Sequence, residues 1–278
     1  MNKSILQENR WLYFKVYCGI KESDLFLTKC IIPFVEKKIK AKNIQKWFFI
    51  RYNEGGYHLR IRFLCTTNED IPLLFSSFFD EARKKTFSCL IWKIQIDNYN
   101  REIERYGKST INMVESIFES DSNFICSFIS KLKNDNDEKN RWKQALKIVD
   151  NYFSFFNIDI NLKHKIISMM TNSLKLKLGE SKVLNVQINN FFRENNSEIF
   201  DILFLNKREE DFIINVSSEN VKNSLNKDGI PIEKFLFDLI HMSFNRLFRV
   251  QQNEHELIIY SLMEKAYKSQ IKKTRCLK

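Results

Sequence analysis

No Cys-x-x-Cys pair occurs in the chain, and there is no Walker loop, Gly-x-Gly-x-x-Gly fingerprint or Gly-x-Ser-x-Gly elbow. The six cysteines (Cys18, Cys30, Cys65, Cys89, Cys126 and Cys276) are scattered, mostly among apolar neighbours. That spacing excludes a zinc finger or a disulfide framework and reads as free thiols of a reducing compartment. Histidine is scarce, with four in 278 residues, and none belongs to a metal-ligand cluster, so neither a metal nor another cofactor is expected. The first ten residues lack the apolar core of a signal peptide, and no run approaches the roughly 18 apolar residues of a membrane helix. A cytoplasmic protein without a membrane span is the expectation.

What is present is a core-forming composition, 44% hydrophobic and 14% aromatic, with a formal charge of +11. Such a charge favours acidic partners, although the joint excess of Lys, Asn, Ile and Phe is equally what an A/T-rich coding sequence produces. The basic residues are dispersed, so direct nucleic-acid binding ranks low. No repeat or low-complexity linker interrupts the chain, which reads as one domain over 1–278, with an α+β part over 1–108 and a helical part over 109–270.

The segment Trp47-Phe-Phe-Ile-Arg-Tyr-Asn-Glu-Gly-Gly-Tyr-His-Leu-Arg-Ile-Arg-Phe63 reads as a hairpin, its two glycines serving a short turn. In its second strand Leu59, Ile61 and Phe63 point one way, and His58, Arg60 and Arg62 the other. Trp11–Cys18 is a preceding strand, with Leu12, Phe14 and Val16 opposed to Tyr13, Lys15 and Tyr17. A helix from Ser23 or Asp24 to about Lys40 carries Pro33 as a kink, Pro72 opens a second helix to about Phe87, and Leu90–Asp97 forms a fourth strand. Strand, helix, strand, strand, helix, strand is the order of a ferredoxin-like βαββαβ antiparallel sheet. The pattern then predicts helices over 109–119 and 123–133, broken at Ser120-Asp-Ser122, and further helices over 142–156, 162–178, 186–192, 232–248 and 254–270. An exposed loop or a helix start is expected over 134–140, a short strand over 213–216, a loop over 223–229 and a basic tail after 270.

Three stretches could carry chemistry. Arg60 and Arg62, about 7 Å apart by strand rise, could grip a carboxylate or phosphate, or simply decorate a solvated face. Tyr99-Asn-Arg-Glu-Ile-Glu-Arg-Tyr-Gly107 places Glu102 and Arg105, or Arg101 and Arg105, on one side if it coils, which intrahelical ion pairs would also explain. His241-Met-Ser-Phe-Asn-Arg-Leu-Phe248 puts a proton-transfer side chain on an apolar helix, where a core histidine is the common alternative.

Together, and with Trp11-Leu-Tyr-Phe-Lys-Val-Tyr17, these stretches resemble the C-terminal, glutamate-elimination domain of class I lantibiotic dehydratases, also found free-standing as thiopeptide-type bacteriocin biosynthesis proteins. The resemblance implies a lyase that expels glutamate from glutamylated Ser or Thr of a precursor peptide, leaving dehydroalanine or dehydrobutyrine. It implies His241, Arg105 and Glu102 as catalytic residues, and Arg60, Arg62, Arg101 and His58 as substrate-binding ones. It implies as partners the precursor peptide with its leader and a separate tRNA-dependent glutamyl-transfer dehydratase subunit; a homodimer stays open. Lys108 and Arg249 depart from the resemblance, standing where glycines are usual. Two other readings remain. A thiopeptide pyridine synthase would join two dehydroalanines by a formal [4+2] cycloaddition and release the leader, and a non-catalytic module would bind the leader by strand addition.

Overall fold

Four runs of alternating aromatic and β-branched residues pair into one antiparallel sheet: β1 (Trp11–Cys18), β2 (Ile44–Tyr52), β3 (His58–Cys65) and β4 (Ile91–Asp97), in the order β2-β3-β1-β4. β2 and β3 form the expected hairpin, with Gly55 at φ 72° and Gly56 at φ 101°, a region that side chains with a Cβ seldom enter. Register fixes the faces. Leu12, Phe14 and Val16 lie opposite Phe63, Ile61 and Leu59 on one side, whereas Tyr13, Lys15 and Tyr17 lie opposite Arg62, Arg60 and His58 on the other. The computed structural model describes residues 10–132, 138–179, 181–205 and 212–276. These fall into two compact units, the first spanning 1–135 with 213–217 and the second 136–212 with 218–278.

In the first unit, two helices meet the apolar face of the sheet as the alternation demands. Helix α1 (22–40) is α-helical over Glu22–Phe26 and Ile32–Lys40, with a π-helical turn at Leu27–Ile31 between them. Pro33 has no N–H to give and its ring would strike the carbonyl four residues back. The widened turn just before it absorbs that conflict, so the expected kink is a π turn. Phe78 of α2 (Asp70–Ala82) stacks 4.2 Å from Phe14, and both are wholly buried. Phe34 and Phe63 close the same cluster.

The break expected at Ser120-Asp-Ser122 does not occur. Residues 111–131 form one helix, α3 (Ile111–Lys131), in which all three polar residues are buried. Their setting explains why. The Ser122 hydroxyl donates to the Phe118 carbonyl at 2.7 Å and accepts the Phe49 N–H at 3.3 Å. Glu119 accepts the Trp47 N–H at 3.3 Å, and Asn123 accepts the Trp47 indole N–H at 2.9 Å. Ser122 of the apparent loop signal, together with Glu119 and Asn123 beside it, makes a polar seat for the edge of β2. This helix belongs to the sheet-bearing unit although the sequence assigns it to the helical part.

The second unit is helical: α4 (Glu138–Phe155), α5 (Ile160–Leu178), α6 (Lys182–Phe200), α7 (Ser218–Asp228), α8 (Ile232–Leu247) and α9 (Gln252–Cys276). Its core holds edge-on and stacked rings, Phe156 on Phe235 and Phe244 on Tyr260. The buried Arg141 donates to the Leu247 carbonyl at 2.6 Å, a cation at the C-terminus of α8. Three expectations need correction. Residues 213–216 form no strand, the loop expected over 223–229 is the end of α7, and most of the basic tail continues α9 to Cys276. The run 186–192 is the middle of the longer α6, bent at Asn195. Of the exposed loop or helix start expected over 134–140, residues 134–137 lie outside the described residues and 138–140 begin α4.

Truncating Phe78 to alanine should destabilise the first unit by about 3–5 kcal/mol, read from chemical denaturation. Trp92, 65% exposed on β4, should tolerate the same change within about 0.5 kcal/mol.

Candidate active site

The polar face of the sheet is a cationic surface built on aromatic rings. Arg62 is 7% exposed, and its guanidinium carbon lies 4.5 Å from the centre of the Tyr13 ring, 4.8 Å from Tyr99 and 5.2 Å from Phe48. No carboxylate among the described residues bonds it, and its buried Nε has no hydrogen-bond partner. Burial pulls its pKa down, with Arg60 adding to the effect while Tyr99, Tyr13 and Glu102 oppose it. Burial pushes the Tyr13 and Tyr99 phenols up. Both therefore stay neutral, and the box supplies ring quadrupoles instead of a counter-charge.

Arg60 sits two residues away on the same face, its guanidinium carbon 3.3 Å from the centre of the Tyr52 ring. Its Nε–H donates to His58 Nε2 at 3.3 Å, and His58 Nδ1 lies 2.7 Å from the Gly56 carbonyl. Both ring nitrogens are satisfied if Nδ1 carries the proton, so His58 is neutral and acts to hold Arg60. The hairpin is itself anchored. Buried Arg51 bonds Asp24 at 2.6 Å and the Tyr57 hydroxyl at 3.0 Å, fixing the residue before His58.

After β4 the chain enters a single helical turn, Ile103–Tyr106, closed by Gly107 at φ 88°. Arg105 pairs with Glu102 at 2.9 Å on the exposed side of that turn. Arg101 points elsewhere, donating twice to the buried Glu115 at 2.7 Å. The structure thus brings His58, Arg60 and Arg62 onto one face, couples Glu102 to Arg105, and ties Arg101 to α3.

In the second unit His241 projects from α8 half-buried, with Nδ1 2.8 Å from Oε1 of Glu256 on α9. Glu256 is completely buried, and Gln252 donates both to it at 3.0 Å and to the His241 carbonyl at 2.9 Å. A carboxylate there accepts the Nδ1 N–H as a hydrogen bond and leaves Nε2 as the ring nitrogen without the proton. His255, one residue before Glu256, is a different case: it accepts from the Trp142 indole at 2.9 Å and stacks 4.1 Å from Phe248. Glu256 and Gln252 were not singled out from the sequence. Nothing in their spacing from His241 signals the contact, which arises because α9 turns back against α8. Tyr13 and Tyr99 carried a signal in their strand parity and in the Tyr99–Gly107 stretch. The departures at Lys108 and Arg249 cost no strain, since neither has positive φ; the left-handed residue after α8 is Gln251.

Residues 11–267 match the family model described as lantibiotic biosynthesis dehydratase C-term. The chain is 27% identical over 271 residues to the nisin biosynthesis protein NisB of Lactococcus lactis subsp. lactis, covering 91% of this chain and 25% of that protein. Among solved structures it is similar to the tRNA-dependent lantibiotic dehydratase MibB from Microbispora sp. 107891, at a TM-score of 0.70 and 17% identity, over 99% of this chain and 29% of that one. It is also similar to TbtD, the pyridine synthase from thiomuracin biosynthesis, at a TM-score of 0.61 and 11% identity, over 92% and 97% of the two chains. The chain thus spans about a quarter of the length of NisB.

Burial, with the nearby Arg60 charge, holds the His58 pKa below its ordinary 6.5 against the opposing Gly56 carbonyl. The unfolded chain then takes up the proton first, so this group's contribution to stability is complete above pH 6.5 and is lost as the pH falls through the folded value. Stability measured by urea denaturation at pH 7, 6 and 5 should fall more steeply for wild type than for His58→Asn. Parallel curves would contradict a buried neutral imidazole.

Proposed function

The chain belongs to the lantibiotic biosynthesis dehydratase C-terminal family, and from that premise we propose that it is a lyase that removes glutamate from glutamylated Ser or Thr of a precursor peptide. The observation that carries this reading is Arg62, a buried cation walled by three rings with no carboxylate of its own. Taking a charge out of water without a partner costs several kcal/mol. A site that keeps such a cation is suited to an anion that arrives and leaves, as a glutamyl group does.

The chemistry follows from the side chains. A base removes the Cα proton of the esterified residue, negative charge develops on the adjacent carbonyl, and the Cβ–O bond breaks to release glutamate as a carboxylate. His241 Nε2 takes the proton, with Glu256 stabilising the imidazolium that forms. Arg60 and Arg62 hold the glutamate carboxylates, and Arg105, oriented by Glu102, offsets the developing enolate charge. His58 orients Arg60, and Arg101 holds the segment after β4 through Glu115. We read the first unit as ferredoxin-like on its strand order. A separate tRNA-dependent subunit supplies the glutamyl ester, and the precursor peptide is the substrate. The likeness to TbtD over nearly its whole length supports a second reading, cycloaddition of two dehydroalanines.

Incubation with a glutamylated precursor, followed by mass spectrometry, tests the proposal. Stepwise loss of glutamic acid is the expected result. A macrocycle and free leader from a bis-dehydroalanine precursor would establish the second reading instead. His241→Ala should lower elimination by about 10²–10⁴-fold, and Arg62→Ala by about 10²–10³-fold. Glu256→Gln, which leaves the ring but not its tautomer, should cost on the order of 10² or more.

A further inference from the structure

The sheet has two edges, and the fold treats them differently. At β2, helix α3 covers the backbone, with Glu119 and Ser122 accepting the Trp47 and Phe49 N–H groups. At β4 the backbone bonds only to β1 among the described residues, and five of its seven residues are exposed. Trp92 is 65% exposed and Ile96 53%. An open edge of this length invites another strand, and proteins normally blunt it with a proline, an inward charge or a covering element. Ile91–Asp97 has no proline, and its two charged residues, Lys93 over the Tyr17 ring at 4.9 Å and Asp97 paired with Lys15, lie on the polar face and not across the edge.

The two faces flanking this edge differ in chemistry. Ile94 and Ile96 are registered with Val16 and Phe14 on the apolar side, where Phe75 stacks 6.2 Å from Phe14 and is itself partly exposed. Lys93 and Gln95 are registered with Tyr17 and Lys15 on the side that carries Arg60. A strand added to β4 would therefore set alternate side chains on an apolar shelf and on the margin of the cationic face. Its axis would lie about 14 Å from β3, three strand spacings away, close enough for the chain leaving it to cross to Arg60 and Arg62.

We propose that the free edge of β4 is the docking strand for the precursor peptide, which pairs through a short extended segment alternating apolar with hydroxyl or acidic residues, next to the residue that reacts. The inference rests on the lyase reading for the identity of the peptide, and its occupant follows from continuity with the cationic face and from the sign of the charge there.

The probe is a synthetic twelve-residue peptide alternating valine and threonine with one O-glutamyl threonine, added to the whole chain. Backbone hydrogen exchange should slow about tenfold or more over 91–97 when it binds, and not over 44–52. Ile96→Lys should raise KM for glutamate release about three- to tenfold with kcat unchanged. Release by wild type without protection of β4, and with a wild-type KM for Ile96→Lys, overturns the docking strand while the lyase stands. Protection of β4 without release of glutamate upholds docking and overturns the lyase. Protection of β4 in a sedimenting dimer before any peptide is added shows that a second copy occupies the edge, and overturns the proposal.

Discussion

A guanidinium held between aromatic rings organises the first unit. Arg62 lies within cation–π range of Tyr13, Phe48 and Tyr99, each interaction offsetting about 0.5–2 kcal/mol of the desolvation cost. The rings come from three places: β1, β2 and the segment after β4. They share one face only because β3 lies between β1 and β2 and because the chain returns past Trp11, whose ring is 5.2 Å from Tyr99 and 5.3 Å from Phe48. With the two phenols kept neutral by burial, the rings offset that cost without supplying a formal counter-charge.

The second unit solves a complementary problem with the opposite device. There the buried Glu256 bonds both His241 and Gln252 through Oε1, and a carboxylate held against Nδ1 sets the ring's tautomer. Burial and the Glu256 charge also push the Tyr260 hydroxyl well above its ordinary range. His255, His58 and His241 show that count alone says little about histidine: two have ring nitrogens occupied by structural bonds, and one is held at Nδ1 by a carboxylate.

The edges of the sheet connect packing to use. Glu119 and Ser122 of α3 give the β2 backbone partners that a purely apolar helix could not, which accounts for Ser122 in the middle of a helix. The same chain leaves β4 open beside the cationic face, so the sheet is closed on one side and extensible on the other.

Period-two alternation in Trp11–Cys18 and His58–Phe63 was enough to predict which side chains share a face, because a strand offers only two. The glycine pair announced the hairpin for the equally local reason that few residues reach positive φ. Helical spacing likewise located most of the later helices. Local pattern could not tell a loop signal from a polar seat at Ser120–Ser122, since the strand that uses those groups is more than seventy residues away. Nor could it pair His241 with Glu256 or draw Tyr13, Phe48 and Tyr99 around Arg62. These contacts join residues whose separation in sequence carries no period, and only the burial of whole helices and strands against one another brings them within bonding distance.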